Sequence, residues 1–401
     1  MNVIKRYYFI VLAFFPYIEI VFSEFIGIDF PNLFGTIGIL LVIIFVYSSD
    51  KYLIPKYFLP LLLLSLYYLV WDIINGTFVN LGGQEIFLYI FRSKWLHTLA
   101  YLFLIENTFF DEKFIKTILI IFKATIIIAF IVSIIQFFVD PYFLMPEKIK
   151  LAYMGRGQYE LRLNSIFGYL STTEVGNSFI PIISIIIGYY LYLKKKLNIT
   201  WLLMAGFVVF ANKSRYLYVN FLLIIIQYPL VNGMNISKVI KISIILFTSF
   251  IGFLYFAQII GFDVNTFIQE RLFSKTASTR LLAVELFLEF FPKNPFFGTG
   301  ELVTQDLLWA IRGRSSHIHV GYLSHLFAFG IVGTIFLVWF LYDLGIKLYK
   351  TSKETMYYGT LFAFLCILFT NLTGTNFGFY HYGLLLAFIV DKYINDKEIE
   401  K

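Results

Sequence analysis

Two adjoining stretches determine how this chain is interpreted: ERLFSKTASTRLLAVELFLEFFPKNPFFGTGE at residues 270–301 and RGRSSHIHVGYLSHLFAFGIVG at residues 312–333. They concentrate arginines, histidines and paired glycines between long apolar segments. So polar a segment is costly to place in lipid, and polar positions in a membrane protein usually mark its functional part. Recognition and chemistry are therefore sought here first.

The composition is that of a polytopic membrane protein. Of the 401 residues, 59% are hydrophobic and 14% are charged, whereas a soluble domain has about 25% charged residues. The net charge of +7 comes from short basic clusters between apolar runs. That pattern indicates membrane orientation and not nucleic-acid binding. The only cysteine, Cys366, lies in an apolar run, so no intramolecular disulfide can form.

The apolar runs predict an all-α protein with about twelve spans, because one span needs about 20 mainly apolar residues. The predicted spans are 7–28, 33–49, 57–74, 86–105, 115–139, 174–193, 198–211, 216–231, 241–262, 320–342, 356–374 and 378–394. Basic clusters, such as residues 5–6, 194–196 and 347–353, fall at every second connection. The positive-inside rule then predicts that both termini are cytoplasmic.

The sequence predicts a single transmembrane domain that covers residues 1–401. Two of its predicted outer connections are long, at residues 140–173 and 263–319. Long connections are usually functional, and we expect short helices and the functional site in these two. The unequal positions of the two loops along the chain argue against a transporter built from matching halves.

Several cations fall on the predicted outer side. Arg280 precedes an apolar, predicted helical stretch that ends near Phe291, and Arg215 lies in a tight turn between two spans. Arg162 lies in the first long loop, and Arg92 within the fourth predicted span. Arginine's planar fork suits phosphate, although a single arginine can also contact lipid headgroups. As a set, these residues predict a site for an anionic ligand.

His319 opens a helical pattern that continues through Leu323, Leu326, Gly330 and Gly333. The glycines predict close packing by a neighbouring helix. His319 at the mouth of that helix could act as a general base or could simply hydrogen-bond at the interface. Weaker candidates for the site are His317, His325, Glu174 and Arg271.

No cofactor or metal is expected. The chain has no G-x-x-x-x-G-K-[ST] loop for a nucleotide and no dinucleotide fingerprint. It also has no Asp-rich pair to hold a metal-bound nucleotide sugar. An anionic donor would therefore be a lipid phosphate that is already in the membrane.

Four segments resemble those of the O-antigen ligase and polymerase superfamily of bacterial envelope proteins. HVGYLSHLFAFGIVG (319–333) is similar to the family's H-N-x-x-L-x-x-L-x-x-x-G-x-x-G signature, with Val320 in place of the asparagine. TRLLAVELFLEFFPKNPFFGTG (279–300), SRYLYV (214–219) and RLNSIFGYLSTTEVGNSF (162–179) resemble its three arginine-containing segments. Their order and loop placement also match the family.

This resemblance implies a metal-independent glycosyltransferase of the bacterial plasma membrane, with its active site on the outer side. Arg280, Arg215 and Arg162, with Arg92, would bind the pyrophosphate of an undecaprenyl-pyrophosphate-linked glycan and stabilise the leaving group. His319, with Arg280, would be catalytic and would deprotonate or orient the acceptor hydroxyl. The other implied partners are membrane lipids, a chain-length regulator and a flippase.

Two activities of the family would use the same site. One is an O-antigen polymerase of the Wzy type, which joins lipid-linked repeat units, and the other is an O-antigen ligase, which transfers glycan to lipid A-core. We expect the polymerase, because the family's polymerases are the more divergent group and this chain matches the signature loosely. A third, less favoured hypothesis is a lipid-linked glycan flippase. In a flippase we expect polar residues to be spread through the helices, whereas this chain concentrates them in two loops.

Overall fold

The structure is a computed structural model. It describes residues 2–22, 30–49, 51–74, 93–145, 162–167, 175–194, 196–233, 287–300, 320–372 and 382–399, together with the isolated residues 147, 150, 151, 244, 248, 252, 255, 258, 259, 263, 284 and 285. Every regular element in these ranges is helical. The predicted all-α class is therefore confirmed for the described part of the chain.

The α-helices are α1 Asn2–Ala13, α2 Phe15–Val21, α3 Phe30–Ser48, α4 Phe58–Asp72, α5 Lys94–Glu106, α6 Glu112–Phe138, α7 Ile180–Lys194, α8 Ile199–Asn212, α9 Arg215–Ile225, α10 Gln227–Val231, α11 Gly321–Thr355, α12 Gly359–Thr370 and α13 Tyr382–Ile399. Two 3-10 turns, Ser165–Phe167 and Phe291–Lys293, and a π-helical turn, Val175–Phe179, lie between them. The ends of several helices follow local signals. For example, Asp111 caps α6 by accepting a hydrogen bond from Phe114 N at 2.7 Å.

Within the described ranges, four helices are long and apolar enough to cross a membrane: Phe30–Ser48, Glu112–Phe138, Val175–Lys194 and Gly321–Thr355. The apolar helices Phe58–Asp72, Ile199–Asn212, Arg215–Val231 and Gly359–Thr370 are shorter. These helices indicate a membrane-embedded protein. The twelve-span topology and the side of each terminus stay predictions, and most of the predicted span 241–262 lies outside the described residues.

One predicted boundary is wrong. Beyond the predicted span 320–342 the chain stays helical to Thr355, so Lys347, Lys350 and Lys353 lie on α11 and not in a connection. Long lysine side chains can extend along a helix surface to water, which is why hydropathy ends this segment early. In the fourth predicted span, 86–105, residues 86–92 lie outside the described residues, and the described helix begins at Lys94 after an extended Ser93.

One end of the bundle is rich in ion pairs. Arg6 pairs with Asp111 at 2.7 Å, and Lys347 pairs with Glu106, which also accepts a hydrogen bond from the Tyr57 hydroxyl at 2.8 Å. Arg6 and the capping amide of Phe114 both favour the ionised Asp111, so the pKa of its carboxyl is lowered, with the amide as the larger cause. We call this the ion-pair end.

Helices approach each other closely at glycines. A Cβ atom added to Gly188 on α7 would lie 2.5 Å from Gly359 Cα at the start of α12. A Cβ atom on Gly35 of α3 would lie 2.2 Å from the His97 ring on α5. Small residues that allow backbones to approach are the usual means of helix association in membranes.

Helix α11 is broken at Gly330, where residues 295–300 bind to it. Gly330 has φ 62° and ψ −167°, so the helical hydrogen-bond ladder is interrupted. Four backbone bonds to the loop replace it: Ile331 N→Pro295 O at 2.9 Å, Val332 N→Phe296 O at 3.0 Å, Thr299 N→Phe327 O at 3.3 Å and Gly300 N→Ala328 O at 2.7 Å. Irregular backbone at such a position requires protein partners of this kind. We call this exchange the Gly330 clasp.

The clasp revises the prediction for the two glycines of α11. Gly333 receives a neighbouring helix as predicted, because an added Cβ would lie 2.8 Å from the Tyr67 ring of α4. Gly330 instead receives a loop, because its added Cβ would lie 2.4 Å from Phe296 O. The Tyr67 hydroxyl lies 2.9 Å from both the Phe297 and the Phe329 carbonyl oxygens and so holds loop and helix together.

Candidate functional site

Three of the predicted site residues are in the described part of the chain: Arg162, Arg215 and the weaker candidate His325. The others lie outside the described residues: Arg92, Glu174, Arg271, Arg280, His317 and His319. The geometry below therefore concerns the segments that carry Arg162 and Arg215. The two segments meet where α8 ends and α9 begins.

Arg215 begins α9 directly after a two-residue turn. Helix α8 ends at Asn212, Lys213 adopts the left-handed conformation with φ 60° and ψ 25°, and Ser214 is extended. The sequence prediction that residues 212–215 separate two helices is confirmed. The side chain of Arg215 is exposed, at the helix N-terminus, where the backbone dipole favours anions.

A pair of buried asparagines joins this turn to the segment that carries Arg162. Asn212 Nδ2 donates to Asn164 Oδ1 at 2.7 Å and to Leu163 O at 3.3 Å. Both asparagine side chains are fully buried. The backbones that carry Arg162 and Arg215 are therefore held side by side, although they are far apart in sequence.

A second amide fixes the 162–167 segment from the other side. Gln136 Oε1 on α6 accepts from Ser165 N at 2.9 Å, and the Ser165 hydroxyl donates to Ala129 O at 2.7 Å. Residues 163–167 are all buried. This part of the predicted outer loop 140–173 is thus packed among helices, because its polar backbone finds partners there.

Sequence reasoning did not select Gln136, Asn164 or Ser165. Asn164 and Ser165 lie within the segment 162–179 that resembles the family, two and three residues after Arg162. Gln136 carried its own signal, since a polar side chain inside an apolar span usually has a specific partner.

The predicted helical stretch after Arg280 is confirmed where it is described. Residues 287–290 are helical and continue into the 3-10 turn Phe291–Lys293. Phe287 packs on Phe327 of α11. The glycines that follow reach the Gly330 clasp, so the segment is attached to α11 at both its helix and its loop.

The start of α11 is fixed by the end of α12. Gly321 N donates to Asn371 O at 2.9 Å, and a Cβ atom on Gly321 would lie 2.9 Å from that same oxygen. The Tyr322 hydroxyl donates to Leu368 O at 2.9 Å. The chain is therefore held in a defined position two residues after His319.

His325 is a packed core residue. Its side chain is 4% exposed, its Nδ1 shares a hydrogen bond with the Tyr68 hydroxyl, and its ring packs against Phe329. A histidine enclosed in this way stabilises the contact between α4 and α11. This burial is consistent with the prediction that His325 is a weaker candidate for the functional site than His319.

No cluster of three histidine, cysteine, aspartate or glutamate residues within the described ranges could hold a metal ion. Comparison with protein-family models and with curated proteins finds no match to this chain.

Proposed function

We propose that the protein is a glycosyltransferase of the bacterial plasma membrane that joins undecaprenyl-pyrophosphate-linked oligosaccharides into a polysaccharide. The reaction needs no metal in this proposal, and its site faces the outer side of the membrane. The proposal starts from the four segments that resemble the O-antigen polymerase and ligase superfamily.

The observation that carries the proposal is the contact between the segments of Arg162 and Arg215. Two arginines selected separately from sequence belong to backbones that the Asn164–Asn212 hydrogen bond joins. Two arginines whose backbones meet near one helix N-terminus favour a ligand with several anionic oxygens. A lipid pyrophosphate has this chemistry, and it can reach such a site by diffusing laterally in the membrane.

The proposed mechanism divides the work between cations and a base. Arg162 and Arg215 bind the pyrophosphate and stabilise the charge that develops on it as the glycosidic bond breaks. Arg280 and Arg92 are assigned to the same phosphates on the resemblance alone. His319 takes the proton of the acceptor hydroxyl, also on the resemblance, and the acceptor oxygen forms the new bond to the anomeric carbon as undecaprenyl pyrophosphate leaves.

The test is glycan analysis of a deletion strain of the source bacterium, complemented with variants. For a polymerase, deletion should leave single-repeat glycan and complementation should restore long chains. Loss of all surface glycan with long polymer kept on the lipid carrier would indicate the ligase. Failure to accumulate any lipid-linked glycan on the outer side would indicate the flippase.

The variants address the two arginines. Losing one charge-assisted hydrogen bond of about 1.5–3 kcal/mol corresponds to a roughly 10- to 100-fold weaker transition-state interaction. Arg215→Ala and Arg162→Ala should therefore shorten the chains strongly, with the protein still present in the membrane. Lys350→Ala is the matched control, because Lys350 is an exposed cation on the helix surface of α11. Full chain length in both arginine variants would refute the pyrophosphate assignment.

A further inference from the structure

The contact between the Arg162 segment and the turn before Arg215 contains three buried polar atoms with no hydrogen-bond partner among the described residues. They are Asn164 Nδ2, Asn212 Oδ1 and Ser214 Oγ. Their side chains are 0%, 0% and 4% exposed. Ser214 occupies the N-cap position of α9, yet its side chain does not cap the helix. Buried polar atoms nearly always have a partner, so atoms of this kind indicate a bound water or ligand.

The neighbours of the two amides fix which atom faces which way. Asn212 Nδ2 lies 3.3 Å from the Leu163 carbonyl oxygen, which can only accept, so the nitrogen must point there. The same nitrogen donates to Asn164 Oδ1 at 2.7 Å, which fixes the second amide. The atoms left over are therefore one donor from Asn164, one acceptor from Asn212 and one hydroxyl from Ser214.

A phosphate alone cannot satisfy this set. Ionised phosphate oxygens only accept, and they match the arginines, Asn164 Nδ2, the Ser214 hydroxyl and the N-terminus of α9, which has 11 residues. Asn212 Oδ1 needs a donor, which an ionised phosphate does not have. A sugar attached to the phosphate provides one, either a hydroxyl or the N–H of an acetamido group.

We infer that Asn164, Asn212 and Ser214 form a subsite for the sugar that is bonded directly to the pyrophosphate, with Asn212 Oδ1 accepting from that sugar. The inference rests on the proposed function and narrows its substrate to a glycosyl pyrophosphate recognised at its first sugar. In this arrangement Arg162 and Arg215 bind the charged pyrophosphate, and the two asparagine amides form hydrogen bonds with the sugar. A ligand that lacks the hydrogen-bonding group leaves the buried polar atom of the site unpaired, and it therefore binds more weakly.

The test compares two lipids on the purified full-length protein in nanodiscs. The probes are undecaprenyl pyrophosphate and undecaprenyl pyrophosphate that carries one N-acetylglucosamine. Each net hydrogen bond changes an equilibrium by about fivefold, so the sugar-bearing lipid should bind the wild type roughly tenfold more tightly. Equal binding of both lipids would overturn the subsite, because water would then fill it, and would leave the proposed function standing. Binding of neither lipid would remove the proposed function itself.

Variants test which residues cause the preference for the sugar-bearing lipid. Asn212→Ala should reduce the ratio of the two affinities to within about twofold, and Ser214→Ala, which removes only a hydroxyl without a described partner, should lower it in part. Asn220→Ala is the control, because Asn220 is equally buried on α9 and also has an Oδ1 without a described partner, but its Nδ2 bonds Thr370 Oγ1 at 2.7 Å and not the Arg162 segment. It should leave the ratio unchanged. An unchanged ratio in both Asn212→Ala and Ser214→Ala would also overturn the inference.

Discussion

Replacing Gly330 with alanine should strongly destabilise the protein. Its backbone, at φ 62° and ψ −167°, lies in a region that is nearly restricted to glycine and costs other residues about 1–3 kcal/mol. An added Cβ would also lie 2.4 Å from Phe296 O and 2.6 Å from Gly298 N. Both are backbone atoms of the clasp, and they cannot move without breaking it.

The magnitude follows from those two effects. Moving residues 296–298 away from the methyl group would break the clasp bond from Val332 N to Phe296 O and the bond from the Tyr67 hydroxyl to Phe297 O, each worth about 0.5–1.5 kcal/mol. Together with the backbone strain, the expected loss in the free energy of unfolding is about 2–6 kcal/mol. A loss of this size is among the larger effects of single substitutions.

Unfolding of the purified protein in detergent would measure this loss, with Gly206→Ala as the control. Gly206 lies in α8, and an added Cβ there would meet Phe221 Cζ at an ordinary 3.4 Å. This control should be neutral or stabilise by up to about 1 kcal/mol, since alanine favours helix. If Gly330→Ala unfolded within about 0.5 kcal/mol of Gly206→Ala, the clasp would not be a stable part of the fold.

Three further substitutions test other contacts. Tyr67→Phe removes the hydroxyl shared by the two clasp carbonyls and should cost about 0.5–1.5 kcal/mol in unfolding. Lys347→Met leaves Glu106 without its ion-pair partner and should destabilise the protein, whereas exposed Lys350→Met should have little effect in the same assay. Asp111→Ala removes the cap of α6 and should cost about 0.5–2 kcal/mol at pH 7. Because the pKa of Asp111 is lowered in the folded state, its contribution is present above its unfolded pKa of about 3.9 and is lost as pH falls through the folded value. The difference from the wild type should therefore shrink in an acid titration.

Features with local signals were predictable from the sequence. The turn at residues 212–215 and the end of the short helix near Phe291 both follow from polar or helix-breaking residues next to apolar runs. The contact of Gly333 with Tyr67 follows from small-residue spacing on one helix face. In each case, the residues that decide the structure are neighbours in the sequence.

The remaining features depend on distant partners. The burial of residues 163–167 requires Gln136 and Asn212, and the break at Gly330 requires the loop at residues 295–300. A hydropathy pattern contains no information on such pairs. The same limit explains why Lys347 was assigned to a connection, since its partner Glu106 lies on a different helix.

Backbone strain in the candidate site supports a preorganised arrangement. Of the four described non-glycine residues with positive φ, Ser165 and Lys213 are the two that flank the Asn164–Asn212 contact. The left-handed conformation costs such residues roughly 1–2 kcal/mol each, so other contacts must hold them. For Ser165 these are the bonds to Gln136 and Ala129, which exist without a ligand. A substrate that enters this site would therefore meet donors and acceptors already in position, and its binding would not have to order the turn. Electrostatic stabilisation of a leaving group is most effective under this condition.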